Sequence, residues 1–325
     1  ILVFGIFSWL TSQTTTFPQI LLTRLGTGMA AGTLSTCTVA FAGDWFPYKV
    51  RGRALGIISS AYFAAPILGV PLATQLAGRI GWQSVYLTFA GLGVIGLILT
   101  LQLPSENQAR NPGSVPEMFR AAGHTFRMLL SRRDTVAIVS IAFLVSGGLV
   151  GFLAYISQWL EGELGLTTNM VSWVWVLGGL VALVGAPLGG ILSDRWGKKP
   201  VAVAGNGLLA LALICIPWTK WGILLLTLFG LFSLASAIRQ GPLTALVTEL
   251  VSREHRGALV ALRNISSQLG IATSTLVGGF LYERWRYPAV ALFCALMTLG
   301  VVFLLATQVR EPGREDPRIQ AAERA

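Results

Sequence analysis

Long runs of apolar residues alternate along this chain with short polar breaks that carry most of the charge. A bilayer core of about 30 Å is crossed by a helix of ~20 apolar residues. Runs of that length between charges fall at 18–43, 54–77, 84–103, 135–159, 169–192, 200–217, 221–247, 257–281 and 287–308, with a shorter run at 1–13. The pattern predicts an all-α, polytopic membrane protein with nine full spans and one truncated span.

Composition narrows the alternatives. Of 325 residues, 54% are hydrophobic and 12% charged, with a mean hydropathy of +0.68. A soluble domain carries about 25% charged residues, so this chain cannot coat two water-soluble domains. A disordered chain is polar and poor in aliphatic residues, which excludes disorder as well.

The net charge of +10 acquires a side once the loops are sorted. Loops 44–53, 104–134, 193–199 and 248–256 and the tail from 309 hold seventeen Lys and Arg. The opposite set holds four, namely Arg79, Lys220, Arg284 and Arg286. The positive-inside rule then makes the first set, and the C-terminus, cytoplasmic. So sided a charge is no sign of a nucleic-acid partner. Tryptophans 9, 45, 82, 159, 218, 221 and 285 lie near span ends, as an interfacial aromatic belt requires.

Three basic residues stay inside the spans: Arg24, Arg239 and Arg263. Arg239 is the deepest, about eight residues from the cytoplasmic end of its span, and Gln240 follows it. An ionisable group at such depth faces the protein interior or a water-filled cavity. It serves either the translocation path or a structural ion pair. Arg263, Asn264, Ser267 and Gln268 form a polar stripe suited to a central aqueous cavity, and Gln158, Trp173 and Trp175 lie near the outer mouth, where belt duty is open to the two tryptophans. All fourteen acids sit at span ends, in loops or in the tail. A proton-coupling carboxylate is therefore expected outside these spans, unless the arginines bind an anionic substrate instead.

A shift of 205 residues aligns the two halves without a gap. Asp44 meets Glu249, Arg51–Gly52 meets Arg256–Gly257, Arg79 meets Arg284, and Val85, Leu87 and Ala90 meet Val290, Leu292 and Ala295. Ser59 and Tyr62 become the equivalents of Asn264 and Ser267. The second copy has six spans and the first shows its last four. By analogy with parallel six-span repeats, roughly 70 or more residues are expected to precede residue 1 in the intact molecule. The expected organisation is a bundle at 1–103 (helices 3–6 of twelve), a cytoplasmic central loop at 104–134, a six-helix bundle at 135–308 and a tail at 309–325.

The cytoplasmic loop at 189–200 reads G-G-I-L-S-D-R-W-G-K-K-P. Gly190, Asp194, Arg195, Gly197, Lys198 and Lys199 resemble the loop motif of the major facilitator superfamily. Arg24-x-x-x-Gly28, Asp44 with Arg51-Gly52-Arg53, and Gly81-Trp82 agree with it. The resemblance implies a secondary active transporter, most like twelve-helix drug or metabolite exporters driven by protons. Its substrate would bind near the midplane between the halves, and rocking would alternate access. It also implies a cytoplasmic latch of Asp44, Arg51, Gly52, Gly190, Asp194, Arg195, Gly197, Lys198, Arg256 and Gly257, with Asp194 acting near Gly52–Ala54. Arg24 would belong to a proton-coupling motif, although it could equally snorkel to the outer interface.

Glycines 28 and 32 share a face with Arg24, and glycines 189 and 190 lead the loop motif; all four are expected to permit close helix packing. Pro66, Gly69 and Pro71 should kink span 54–77. The exporters' Gly-Pro-x-x-Gly-Gly motif is kept only in part there, with Ala65 and Val70 replacing glycines.

Substrate and translocation candidates are Arg24, Ser59, Tyr62, Gln158, Arg239, Gln240, Asn264 and Gln268. The rival transport reading is uptake of an organic anion clamped by Arg239. His124 and His255, the only histidines, lie in loops, and the spans contain no H-E-x-x-H, buried Asp pair or Ser–Lys arrangement, which argues against a membrane-embedded enzyme. Cys37, Cys215 and Cys294 lack metal-ligand or disulfide-framework spacing. The expected setting is a plasma (bacterial inner) membrane, with a monomer, a small-molecule substrate, protons and lipid as the working parts and no cofactor.

Overall fold

In the computed structural model the described residues are 1–45, 69–102, 123, 125–249 and 256–309, and the apolar runs among them fold as helices. These are α1 (Leu2–Ser12), α2 (Phe17–Trp45), α3 (Val70–Ile80), α4 (Gln83–Leu101), α5 (Arg133–Gly162), α6 (Thr168–Trp196), α7 (Lys198–Cys215), α8 (Ile223–Glu249) and α9 (Arg256–Thr307). A helix pairs all its backbone groups within one segment, which lipid requires. Many hydroxyls satisfy themselves in the same way: Thr27, Thr88 and Thr100 donate to the carbonyls of Thr23, Ser84 and Gly96. Among the described residues, six helices are long and apolar enough to cross a membrane.

The chain divides into two units, Ile1–Arg110 and Asn111–Ala325. In the first, α1 packs on α2 and α4. Small residues set the approach. A Cβ at Gly93 would stand 3.1 Å from the Cα of Gly5, and one at Gly26 would run into the ring of Phe7. Gly28, by contrast, has no atom of the described residues within 4 Å of a Cβ built on it. The close approach expected at that position belongs to Gly26, two residues earlier.

In the second unit α8 packs on both α6 and α7, while α5 packs along α9. The last is two helices in one, broken at Arg286 (φ 62°, ψ −172°) just before Pro288. Gly147, Gly148 and Gly151 of α5 form the seam with both limbs. A Cβ at Gly147 would lie 2.9 Å from the carbonyl oxygen of Gly270, and one at Gly148 would lie 3.1 Å from that of Cys294. Ser266 and Ser274 donate across this seam to the carbonyls of Val139 and Gly147, both at 2.7 Å. Phe152, Trp159, Phe232 and Tyr287 fill the core above it.

Trp159 departs from the aromatic-belt expectation. It is buried, with its ring stacked 4.8 Å from Tyr287. Trp9, Trp82, Trp218, Trp221 and Trp285 are exposed. Burial wins at Trp159 because Tyr287, held at the break in α9, supplies a flat partner.

Candidate functional site

Among the amides exposed on helices of the second unit are Gln158 on α5, Gln240 on α8, and Asn264 and Gln268 on α9. The first limb of α9 explains two of them. At 100° per residue, positions 264 and 268 lie nearly opposite 266 and 270. The second row is committed to α5 through the serine bonds and the Gly270 contact, so the amides turn away from the seam. Ser267, between the rows, is half-buried and reaches the carbonyl of Ala142 at 3.5 Å. Arg263 is half-buried. An exposed amide at membrane depth needs water or a polar solute, because lipid offers it no partner.

Arg239 does not join that face. It is 1% exposed, whereas its neighbour Gln240 lies outside. One step along the helix turns the side chain by about 100°, from the bundle interior to its surface. Gly205 of α7 makes the room, since a Cβ there would stand 3.1 Å from the Cβ of Arg239. The Nη1 group donates to Asn206 Oδ1 at 3.0 Å, and Asn206 Nδ2 donates to the Ala202 carbonyl at 2.7 Å. Nε and Nη2 are buried without a hydrogen-bond partner among the described residues. The sequence marked Arg239 by its depth. It gave no sign of Asn206, which sits 33 residues away on another helix.

Two prolines act near this point. Pro242 has no N–H for the carbonyl of Ile238, four residues earlier in α8. That carbonyl lies against Gly189 of α6, where any Cβ would collide with it. The expected close approach is therefore real at Gly189. At Gly190 no atom of the described residues lies within 4 Å of a Cβ. Pro187 lies inside α6 on the same stretch.

Arg24, in the first unit, is half-buried with its Cζ 4.1 Å from the centre of the Tyr86 ring. Tyr86 in turn meets Trp82 edge-on at 5.7 Å. A cation over an aromatic face is worth about 0.5–1 kcal/mol where water has access, and more where it has none. Tyr86 was missed in the sequence because i,i+4 aromatics at a span start read as belt residues.

The loop motif has a plain geometric basis. Gly197, at φ 96°, joins α6 directly to α7 in a conformation that glycine adopts without strain. Asp194 and Arg195 are exposed at the end of α6. Lys199 Nζ donates to the carbonyl of Ala306 at 3.0 Å, near the end of α9, and so answers one of the open carbonyls there. Arg51, Gly52, Ser59, Tyr62 and Pro66 lie outside the described residues, as do the side chains of Asp44 and Arg256 and the surroundings of Gly257. Gly69 precedes α3, and Pro71 occupies its first turn, where a missing N–H costs nothing. Among the described residues no three His, Cys, Asp or Glu side chains cluster as metal ligands would.

These features define a polytopic helical membrane protein. The family model of the Major Facilitator Superfamily matches residues 1–167 and again 138–325. The chain belongs to that superfamily, whose members are transporters and not enzymes. It is 27% identical to an uncharacterized MFS-type transporter of Bacillus subtilis, YwfA, over 86% of this chain and 68% of the relative. It is 25% identical to the purine ribonucleoside efflux pump NepI of Escherichia coli O6:H1, over 91% of this chain and 71% of that protein. The crystal structure of a D-xylose-proton symporter superposes with a TM-score of 0.75 at 16% identity, covering 95% of this chain and 80% of the symporter, which establishes a shared fold.

Proposed function

We propose that this secondary transporter exports a small polar molecule in exchange for protons, by alternating access. The observation that carries the reading is the exposed set Gln158, Gln240, Asn264 and Gln268, since amides both donate and accept and suit an uncharged, hydroxyl- or amide-bearing solute. Likeness over most of the chain to a protein named as an efflux pump favours export. Arg24, Ser59 and Tyr62 complete the candidate path. Asp44, Arg51, Gly52, Gly190, Asp194, Arg195, Gly197, Lys198, Arg256 and Gly257 act as the cytoplasmic latch, with the C-terminus in the cytoplasm of a bacterial cell and the protein a monomer.

The test uses inside-out vesicles acidified within. Addition of a nucleoside or sugar that is cargo should raise the internal pH, and Gln268→Ala or Gln240→Ala should weaken half-saturation about tenfold. Proton and solute moving in the same direction would overturn export.

A second reading, uptake of an organic anion clamped by Arg239, rests on the unpartnered Nε and Nη2. It requires α7 and α8 to part, because the guanidinium is sealed between them. Arg239→Glu separates the two readings: loss confined to anionic cargo selects the second, and loss for no cargo removes Arg239 from the path.

A further inference from the structure

We propose that a cleft between the start of α5 and the end of α9 binds an anionic phospholipid, with the phosphodiester against Arg133 and the acyl chains along the outside of the two helices. The cleft has a volume of about 290 Å³ and is open on one side, close to the lower limit of about 300 Å³ for small-molecule sites. Its walls change character along their length. Ser131, Arg133 and Gln308 line the part at the helix termini, and Val136, Leu304 and Ser140 line the part up to two turns deeper. From Arg133 to Ser140 the helix rises about 10 Å.

The polar end suits an anion. Arg133 is exposed, and among the described residues no acid pairs with it. Ser131 commits its hydroxyl proton to the Met128 carbonyl at 2.7 Å. The donors left are therefore the Arg133 fork and the Gln308 amide. Arg132, at the cap of α5, is extended and its side chain makes no capping bond, so the first-turn N–H groups of this 30-residue helix add to the positive end. The negative end of α9 beside it is answered within the chain. The Leu304 carbonyl accepts from the Gln308 N–H at 2.9 Å, and the Ala306 carbonyl accepts from Lys199 Nζ at 3.0 Å. Arg127, Arg132 and Arg133 stand against Asp134 in the same short stretch, which leaves a net positive charge.

The apolar part decides the source of the phosphate. A free phosphate has no use for walls of Val136 and Leu304. Leu130, Val136 and Phe303 are exposed around the cleft, so apolar surface continues from it onto the outside of the unit, where acyl chains cover it. In the orientation proposed above this end meets the cytoplasmic leaflet, where anionic lipids collect and attract basic residues. The choice of leaflet rests on that orientation; the cleft and its charge do not.

The experiment is native mass spectrometry of the purified full chain in neutral detergent, titrated with phosphatidylglycerol, phosphatidylcholine or glycerol 3-phosphate. One phosphatidylglycerol should bind saturably, about tenfold tighter than phosphatidylcholine. Glycerol 3-phosphate, which has the phosphate and no chains, should not displace it. Arg133→Gln should weaken phosphatidylglycerol about fivefold. Val136→Trp fills the cleft without changing its charge and should remove the saturable site. Arg195→Gln, at an exposed arginine at the end of α6, should change the affinity less than twofold. Equal binding of the two lipids, displacement by glycerol 3-phosphate, an unchanged site in Val136→Trp, or a loss in Arg195→Gln as large as in Arg133→Gln would each overturn the site. Binding that emerges only after deletion of residues 310–325 would give the cleft to the chain's own tail and overturn the lipid. None of these measurements involves transport, so their failure leaves the proposed function standing, and a failed transport assay leaves the site standing.

Discussion

The turn between α3 and α4 in the first unit and the break inside α9 in the second occupy equivalent places in the 205-residue repeat. Gly81 (φ 105°, ψ 159°) corresponds to Arg286 (φ 62°, ψ −172°), so both copies reverse through a positive-φ residue with extended ψ. One copy uses glycine, which adopts this conformation freely. The other uses arginine, which does not. The next residue accounts for the difference. Trp82 is 40% exposed and touches Tyr86 only edge-on. Its counterpart Tyr287 is fully buried, stacked on Trp159 and tilted against Phe152, and donates to the Phe152 carbonyl at 3.2 Å. Where packing locks the turn, the backbone tolerates a residue that disfavours it. Where packing is loose, glycine has to supply the turn.

The largest test of that contrast is truncation of the two aromatics. Tyr287→Ala should cost about 3–5 kcal/mol, as expected for a large aromatic removed from a packed core. Trp82→Ala should cost about 0.5 kcal/mol. Similar losses from the two variants in detergent unfolding would break the comparison. Next is Gly81→Ala, which should cost about 1–2 kcal/mol, the penalty for a Cβ at positive φ. Purified protein followed by tryptophan fluorescence would show it as a lower Tm. Tyr287→Phe keeps the stack and loses the bond to Phe152, a change of about 1 kcal/mol that the same unfolding curves resolve. The smallest effect has the opposite sign. Arg286→Gly relieves about 1–2 kcal/mol of backbone strain and gives back about 0.5–1 kcal/mol of unfolded-state entropy. A net gain near 0.5 kcal/mol is expected; a loss would mean that the arginine side chain, rather than the tyrosine beside it, holds the turn.

The spans were legible because lipid imposes one rule on every residue of a run. The repeat was legible because Arg-Gly and Arg79/Arg284 mark its span ends, and its equivalence at Gly81 and Arg286 appears in the backbone itself. The α5 seam was not legible. Gly147, Gly148, Gly151 and Gly270 sit in apolar runs among many other glycines, and nothing local distinguishes a glycine that meets a backbone from one facing open space, such as Gly28 or Gly190. Of the candidate site, the amides were found by their spacing on 257–281 and by their polarity. What spacing could not show is that Gln240 and Arg239, adjacent in sequence, part company. That depends on Gly205 of α7 leaving room for a large side chain. Trp159 shows the same limit from the other direction, since proximity to a span end cannot tell a belt tryptophan from one with a stacking partner 128 residues later.

The bond between Asn206 and Arg239 also bears on how the protein is made. Releasing a helix with an arginine near its centre into lipid costs about 2.5–3.5 kcal/mol. Asn206 precedes Arg239 by 33 residues, so the acceptor is synthesised before the cation. The link between the two helices is only the turn around Ile216–Trp218 and the few residues after it. Entry of α7 and α8 as a paired hairpin would spare α8 that cost, because the acceptor is already made when the cation follows.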